Sequence, residues 1–530
     1  MDFDPVLVPD WLGRSAARWP DKVGLVAGGQ RLTYQELDEL SSRLAAGFAR
    51  LGLKKGQRVI IWLGNSAETV LAIYGVLKAG GVFVVLDIKT PWSAVRNVIS
   101  DAAASFLLVS GKKSVDKSFY NDSLADRKLA GLKIIMAGAD EKFSDQKGRV
   151  FSFQELCRTS PTGRSKPLIL ENDLACLIYT SGSTGKPKGI MCTHHNIISA
   201  ARSIIQYLGN TAEDVILNVL PLSFDYGLYQ VFMCFMFGGR LVLEPSFAYL
   251  QDILATIERE KVTGFPIIPS ISAMLLKLKS FPRKQLSTLR YITNTGATWP
   301  VSHIRQLRQM LPAVRLFSMY GLSECKRVSY LPPELIDEFP ESVGRPMPNL
   351  EIAIIDRQGR TVPPGKAGQL IVRGPSVMQG YWGDKKLTAR VFRPGKYPED
   401  RWLFTGDLFH QDEHGLLYFH GRKDRQIKSF GHRLNLVEVE KVISGLDKIT
   451  EVAAVPVPDE IGGTVVGVFV VCQKGAGLSE NQLRQYCQQH LEPYKVPRHI
   501  WFRKSLPKTS TGKVDYKKLK QMAEEMKAGG

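Results

Sequence analysis

Leu174-Ala-Cys-Leu-Ile-Tyr-Thr-Ser-Gly-Ser-Thr-Gly-Lys-Pro-Lys-Gly189 is the stretch on which the reading of this chain turns. Leu174–Tyr179 is an apolar run of strand length, and a loop of hydroxyls, glycines and lysines follows it directly. Glycines let backbone N–H groups approach an anion, hydroxyls donate hydrogen bonds to it, and lysines supply charge. A loop of this kind at a strand end is suited to holding polyphosphate. It departs from the common Gly-x-x-x-x-Gly-Lys-Ser/Thr loop, because Pro187 follows Lys186.

Outward from this loop, short apolar strands alternate with amphipathic helices. Leu32–Leu51 is predicted helical, with Thr33 as N-cap and Glu36 completing a capping box. Strands are predicted at Arg58–Trp62, Val82–Leu86, Arg290–Thr293 and Val314–Ser318, and helices at Glu68–Lys78 and Pro300–Met310. This rhythm predicts an α/β fold of parallel sheets covered by helices. After about residue 340 the pattern changes to short strands between turns: Leu350–Ile355, Gln369–Val372, Trp402–Thr405 and Leu416–Phe419. Beyond the charged junction Gly421–Arg425 a small α+β unit is expected. The chain thus divides into a large N-terminal domain, 1–420, and a small C-terminal one, 421–530.

The length of 530 residues and the ordinary proportions of apolar and charged residues exclude a disordered chain, a collagen and a coiled coil. Lys+Arg exceed Asp+Glu by 19, and residues 421–530 carry +7 of that excess. Such a balance fits polyanionic small molecules as well as nucleic acid or anionic membranes. The seven scattered cysteines form no CxxC, so neither a disulfide framework nor a zinc module is expected. No signal peptide and no apolar run of membrane-spanning length are visible, and the reading is a cytoplasmic protein with no membrane span.

Leu177–Gly189 resembles the signature loop of the ANL superfamily: AMP-forming acyl- and aryl-CoA ligases, luciferases and peptide-synthetase adenylation domains. Further motifs in order along the chain are similar to those of the same family. The resemblance implies a large domain of stacked α/β layers plus a distorted β-barrel, with a small mobile α+β lid. It implies that Thr180, Ser181, Gly182, Ser183, Thr184, Gly185, Lys186 and Lys188 hold ATP phosphates. In Tyr320-Gly-Leu-Ser-Glu324, the resemblance places Tyr320 against adenine, Gly321 in the turn, Ser323 on the α-phosphate and Glu324 on Mg²⁺. One carboxylate plus phosphate oxygens is the ligand set Mg²⁺ commonly takes. Asn294-Thr-Gly-Ala297 looks like the adenine-edge loop, with Gly296 and Ala297 beside the base. Asp407 of Thr405-Gly-Asp407 would accept both ribose hydroxyls, and Arg422 would touch the nucleotide. Asp424 resembles the hinge residue, while Gly431 and Arg433 resemble the loop that meets the pantetheine arm of CoA. Pro507-Lys-Thr-Ser-Thr-Gly-Lys513 resembles the catalytic-lysine loop. A mobile ammonium there would stabilise negative charge developing at the α-phosphorus. His194-His195 look like a modified form of the family's segment after the phosphate loop, and a packing role is expected of them.

For the acid, Phe224, Asp225, Tyr226 and Gly227 align with the entrance of the acyl pocket. Pro266, Asn294 and Cys325 would line its walls, together with Lys326, Arg327 and Val328. These residues point to a small-molecule carboxylic acid with apolar bulk. Phe224-Asp225 also looks like the pair found in amino-acid-activating domains, where the Asp binds a substrate ammonium. The expectation is an AMP-forming acid–thiol ligase with CoA as acceptor. The alternative is an amino-acid adenylation enzyme that loads the phosphopantetheine of a separate carrier protein. Nucleic acid is not expected as a partner.

Overall fold

Runs that are apolar on both faces should form central parallel strands, and they do. The computed structural model describes residues 4–111, 129, 131–138, 148–161, 167–181, 187–278, 280–397, 400–429, 432–459, 463–473, 475, 477–509 and 512–528. A seven-stranded sheet runs in the order Val150–Ser152, Lys133–Ala137, Phe106–Ser110, Arg58–Trp62, Val82–Val85, Leu174–Ser181, Pro187–Thr193. All its pairs are parallel except the last, a hairpin. A nine-stranded sheet has a parallel centre built from Val23–Ala27, Arg240–Leu243, Val215–Asn218, Gly264–Ile267, Tyr291–Asn294 and Arg315–Tyr320. Helices Ala67–Lys78 and Asp225–Phe237 are buried along almost their whole length, and their side chains join one continuous core with those of both sheets.

Helix Tyr34–Arg50 begins with the predicted capping box between Thr33 and Glu36. Two strands run further than sequence indicated. Arg401–Gln411 passes through the Thr405-Gly-Asp407 motif, because Gly406 takes φ +76° and the ladder shifts register there instead of ending. Ile449–Asp459 tolerates Pro456 and Pro458 because it lies at a sheet edge, where a missing N–H costs no ladder bond. The region expected to form a distorted barrel is a five-stranded antiparallel sheet around Gly368–Arg373 and Arg401–Gln411.

From Gln426 onward the chain builds a separate five-stranded sheet centred on Gly463–Cys472. Leu436–Ser444 and Glu480–His490 pack on one face, through Val439, Ile443 and Leu483. Tyr516–Ala528 packs on the other, through Leu519 and Ala523. Among the described residues no helix is long and apolar enough to cross a membrane.

Candidate active site

In open parallel sheets the carboxyl ends of the strands leave a crevice for ligands. Here the loops after Val215–Asn218, Tyr291–Asn294 and Arg315–Tyr320 meet there, and Lys513 of the C-terminal unit joins them. They line a small, partly open pocket that includes Phe224, Asp225, Tyr226, Gly296, Ser323, Lys326, Arg327 and Lys513.

The turn after Arg315–Tyr320 is built by close backbone approach. A Cβ on Gly321 would lie 2.4 Å from the Lys326 carbonyl, so no other residue fits. Val328 N–H donates to the Tyr320 carbonyl at 2.9 Å, closing the turn, and Lys326 adopts φ +65°. Glu324 thereby meets a segment distant in sequence: its Oε1 accepts from the Tyr381 hydroxyl at 2.7 Å, and its carbonyl accepts from Met378 N–H at 2.8 Å. The same segment is stitched to the strand returning from the phosphate loop. Met191 N–H donates to the Gly380 carbonyl at 2.9 Å, and Trp382 N–H to the Gly189 carbonyl at 2.7 Å.

Tyr320 donates its hydroxyl to Asp407 Oδ2, and its ring lies edge-on to Phe409 at 4.7 Å. Burial, with Asp407 close by, raises the Tyr320 pKa well above its ordinary value, so the phenol is a donor. Arg422 Nη1 lies 3.8 Å from Asp407 Oδ1. The adenine, ribose and nucleotide-arginine candidates are therefore one contiguous group. Ala297 follows Gly296 on the exposed part of that loop, and Gly296 has φ +92°.

Gly182, Ser183, Thr184, Gly185, Lys186 and Gly431 lie outside the described residues, as do the side chains of Ser181, Asp424 and Arg433. Thr180 and Lys188 pair across the hairpin that carries the phosphate loop. His194 is a packing residue: its Nδ1 accepts from Val8 N–H at 3.2 Å, and burial lowers its pKa to about 4.

In the acyl region, Phe224, Asp225 and Tyr226 line the pocket as expected. Cys325 and Val328 belong to the hydrophobic core, and Pro266 and Asn294 lie in buried strands, with Asn294 Nδ2 lacking a partner among the described residues. Lys326 and Arg327 line the pocket as expected, at a point where left-handed backbone at Lys326 redirects the chain. Asp225 has an internal cation beside it. Lys326 Nζ donates to the Asp225 carbonyl at 2.7 Å and lies 3.7 Å from its carboxylate. The Tyr226 hydroxyl bonds the Thr293 side chain at 2.6 Å and the Thr293 carbonyl at 2.9 Å.

Burial lowers the Lys326 pKa to about 7, outweighing the pull of Asp225. The unfolded chain binds this proton up to its ordinary pKa, whereas the folded chain releases it near 7. Wild-type stability relative to Lys326→Met should therefore rise with pH above 7, by about 2 kcal/mol between pH 7 and 9. Urea denaturation of both proteins across that range checks this; parallel curves would refute it.

Lys513 is carried by a hairpin in which Thr509 N–H donates to the Lys513 carbonyl at 2.7 Å and Asp515 N–H to the Pro507 carbonyl at 2.8 Å. Its Nζ stands 5.0 Å from the Phe224 ring centroid. Solvent reaches one flank of the side chain, yet protein surrounds its ammonium and desolvation lowers its pKa. Behind this hairpin a clamp ties the start of the C-terminal unit to its last helix. Arg425 Nη2 pairs with Glu440 at 2.8 Å, Tyr516 donates to Glu440 at 3.0 Å, and the Arg425 guanidinium lies 3.9 Å from the Tyr516 ring centroid.

Tyr381 is the residue sequence reading missed. Its neighbours Gly380-Tyr-Trp-Gly-Asp384 carry no local signal that points to Glu324. Among the described residues, no group of three or more His, Cys, Asp or Glu could hold a metal by itself. The site fits a cation only where phosphates supply the remaining ligands.

The model for the AMP-binding enzyme family matches residues 12–382, and that for the AMP-binding enzyme C-terminal domain matches residues 438–513. The chain is 32% identical over 526 residues to a long-chain-fatty-acid–CoA ligase of Bacillus subtilis (strain 168), covering 95% of this chain and 92% of that protein. It is 31% identical over 512 residues to surfactin synthase subunit 1 of Bacillus subtilis (strain 168), covering 95% of this chain but 13% of that protein. Among solved structures, the anthranilate CoA ligase AuaEII in complex with anthranoyl-AMP superposes with a TM-score of 0.88 at 26% identity, covering 99% of each chain. With both family segments present in order and matched relatives spanning nearly its full length, this chain belongs to the AMP-binding enzymes of the ANL superfamily.

Proposed function

We propose that this protein is an AMP-forming carboxylate–CoA ligase. The observation that carries the reading is the position of Lys513: the C-terminal unit delivers its ammonium over Phe224, into a cavity that also presents Gly296 and Ser323. A carboxylate oxygen attacks the α-phosphorus of ATP, the bond to the pyrophosphate oxygen breaks, and acyl-AMP forms. The thiol of CoA then attacks the acyl carbon, and AMP leaves with the bonding electron pair. Lys513 sits where charge on the α-phosphate and attacking carboxylate concentrates, and it acts in the first step. Tyr320, Asp407 and Arg422 bind the nucleoside, and the loop Thr180–Lys188 binds the phosphates. Glu324, held in place by Tyr381, supplies the carboxylate for Mg²⁺, which neutralises phosphate charge when bound. The 421–530 unit pivots near Asp424 between the two steps, and closure keeps water from the mixed anhydride. Gly431 and Arg433 are assigned to the pantetheine arm of CoA by their motif alone.

CoA is favoured over a carrier protein with an amino-acid substrate because Lys326 already stands 3.7 Å from the Asp225 carboxylate, where a substrate ammonium would have to bind. The free cysteines suit a reducing compartment, and we place the enzyme in the cytoplasm. Pyrophosphate release that requires a carboxylic acid, with thioester forming only when CoA is added, is the expected behaviour. Release that no acid stimulates would end this reading. Asp407→Ala should raise the KM for ATP about tenfold, the loss of a charged acceptor, while the KM for CoA stays level. Steady-state kinetics with each substrate varied checks this.

A further inference from the structure

Two sheets meet at the junction between the units, and a ladder fixes each side of it. Arg422 ends strand Leu417–Arg422 and pairs with Asp407, so it moves with the N-terminal domain. Asn435 ends strand His432–Asn435 and pairs with Gln426, so it moves with the C-terminal unit. Only the short helical turn Lys423–Arg425 separates the two ladders. Across it, Asn435 Nδ2 donates to the Arg422 carbonyl at 3.3 Å. Asn435 is buried, and its two polar atoms have different tasks. Its Oδ1 accepts from Val437 N–H at 3.0 Å and caps helix Leu436–Ser444. An oxygen is all that capping needs, and Ser or Asp supplies one as well as Asn does. The amide nitrogen is used on the other side of the junction. Gly421 leaves room for it: a Cβ there would lie 2.6 Å from both Nδ2 and Oδ1 of Asn435.

We propose that Asn435 is a latch that holds the C-terminal unit in the orientation delivering Lys513, and so a positioning residue for acyl-AMP formation. This rests on the ligase reading and on the turn of the unit that goes with it. Donor and acceptor are anchored in separate ladders, so turning the unit about the residues between them moves one from the other. The bond therefore belongs to the orientation seen here, in which Lys513 Nζ stands 5.0 Å from the Phe224 ring centroid. A hydrogen bond made in one orientation and lost in another biases the pair by up to about tenfold. That bias is small enough for the unit to leave when thioester formation requires it. Asn435 acts through the junction and not on the reactants.

The test uses the full chain with ATP, CoA and the best acid from a panel of acetate, hexanoate, palmitate, benzoate and alanine. Asn435→Asp and Asn435→Ser keep the capping oxygen and remove the donor. In both, single-turnover acyl-AMP formation should fall about tenfold. Conversion of supplied acyl-AMP and CoA to thioester should hold at the wild-type rate or rise. Urea midpoints should stay near that of the wild type, because the cap survives. Asn435→Ala, which loses cap and donor together, should slow the first step as much and also lower the midpoint. Either capped variant decides the matter if the other fails to fold. Wild-type rates in both steps, or equal losses in both, overturn the latch and leave the ligase standing. Pyrophosphate release that no acid stimulates overturns the ligase reading, and this proposal with it.

Discussion

Lys513→Ala should slow acyl-AMP formation about 1,000-fold, near 4 kcal/mol of transition-state stabilisation, the size seen when one preorganised donor is removed. Conversion of supplied acyl-AMP and CoA to thioester should continue close to the wild-type rate. The asymmetry follows from the position of the residue. Its ammonium stands 5.0 Å from the Phe224 ring centroid, where the proposed reaction would bring the α-phosphate and attacking carboxylate together, and the hairpin holding it belongs to the C-terminal unit. Desolvation lowers the Lys513 pKa, and negative charge in the loaded site would oppose that shift. Single-turnover assays of the two half-reactions separate the cases. Equal loss in both would show that Lys513 only supports the fold.

Gly227→Ala should cost about 3 kcal/mol of stability, at the upper end of what overpacking does. A Cβ at this position would lie 2.5 Å from the Pro221 carbonyl oxygen and 2.7 Å from that of Leu220. Both obstacles are backbone, so no change of rotamer relieves them. Helix Asp225–Phe237 is pressed against the end of strand Val215–Asn218 at this point. Asn218 reinforces the contact, donating to the Gly227 carbonyl at 3.2 Å and accepting from Leu220 N–H at 3.1 Å. Since the helix begins with Asp225 and Tyr226, any displacement also widens the acid cavity. Urea unfolding measures the loss; an unchanged midpoint and slope would show that the helix start yields freely.

What sequence reveals here is what local rules govern. The capping box at Thr33, the strand Arg58–Trp62 and the helix Glu480–His490 all fall where their own residues place them. The large parallel layers followed from runs apolar on both faces. Long-range pairing was not legible. Nothing near Tyr381 announces Glu324, 57 positions away. The strand through Gly406 continues because a neighbouring strand accepts its bulge, which no reading of Thr405-Gly-Asp407 alone could supply. The acid pocket was legible in part: Phe224, Asp225, Tyr226, Lys326 and Arg327 line it as expected. The left-handed step at Lys326, which accompanies the burial of both cations, was not. Asp225 read as a ligand for an amine because its internal cation lies 101 positions away.

If the C-terminal unit turns as proposed, the Arg425–Glu440–Tyr516 clamp would make Lys513 the tip of a stiff crank. With the base of the unit bolted to its final helix, a turn near Asp424 would reach Lys513 without slack. Aim at phosphorus is then governed by the angle of the shaft, not by suppleness of the tip. Loosening Glu440, remote from every reactant, would blur that aim as surely as altering the lysine's own hairpin.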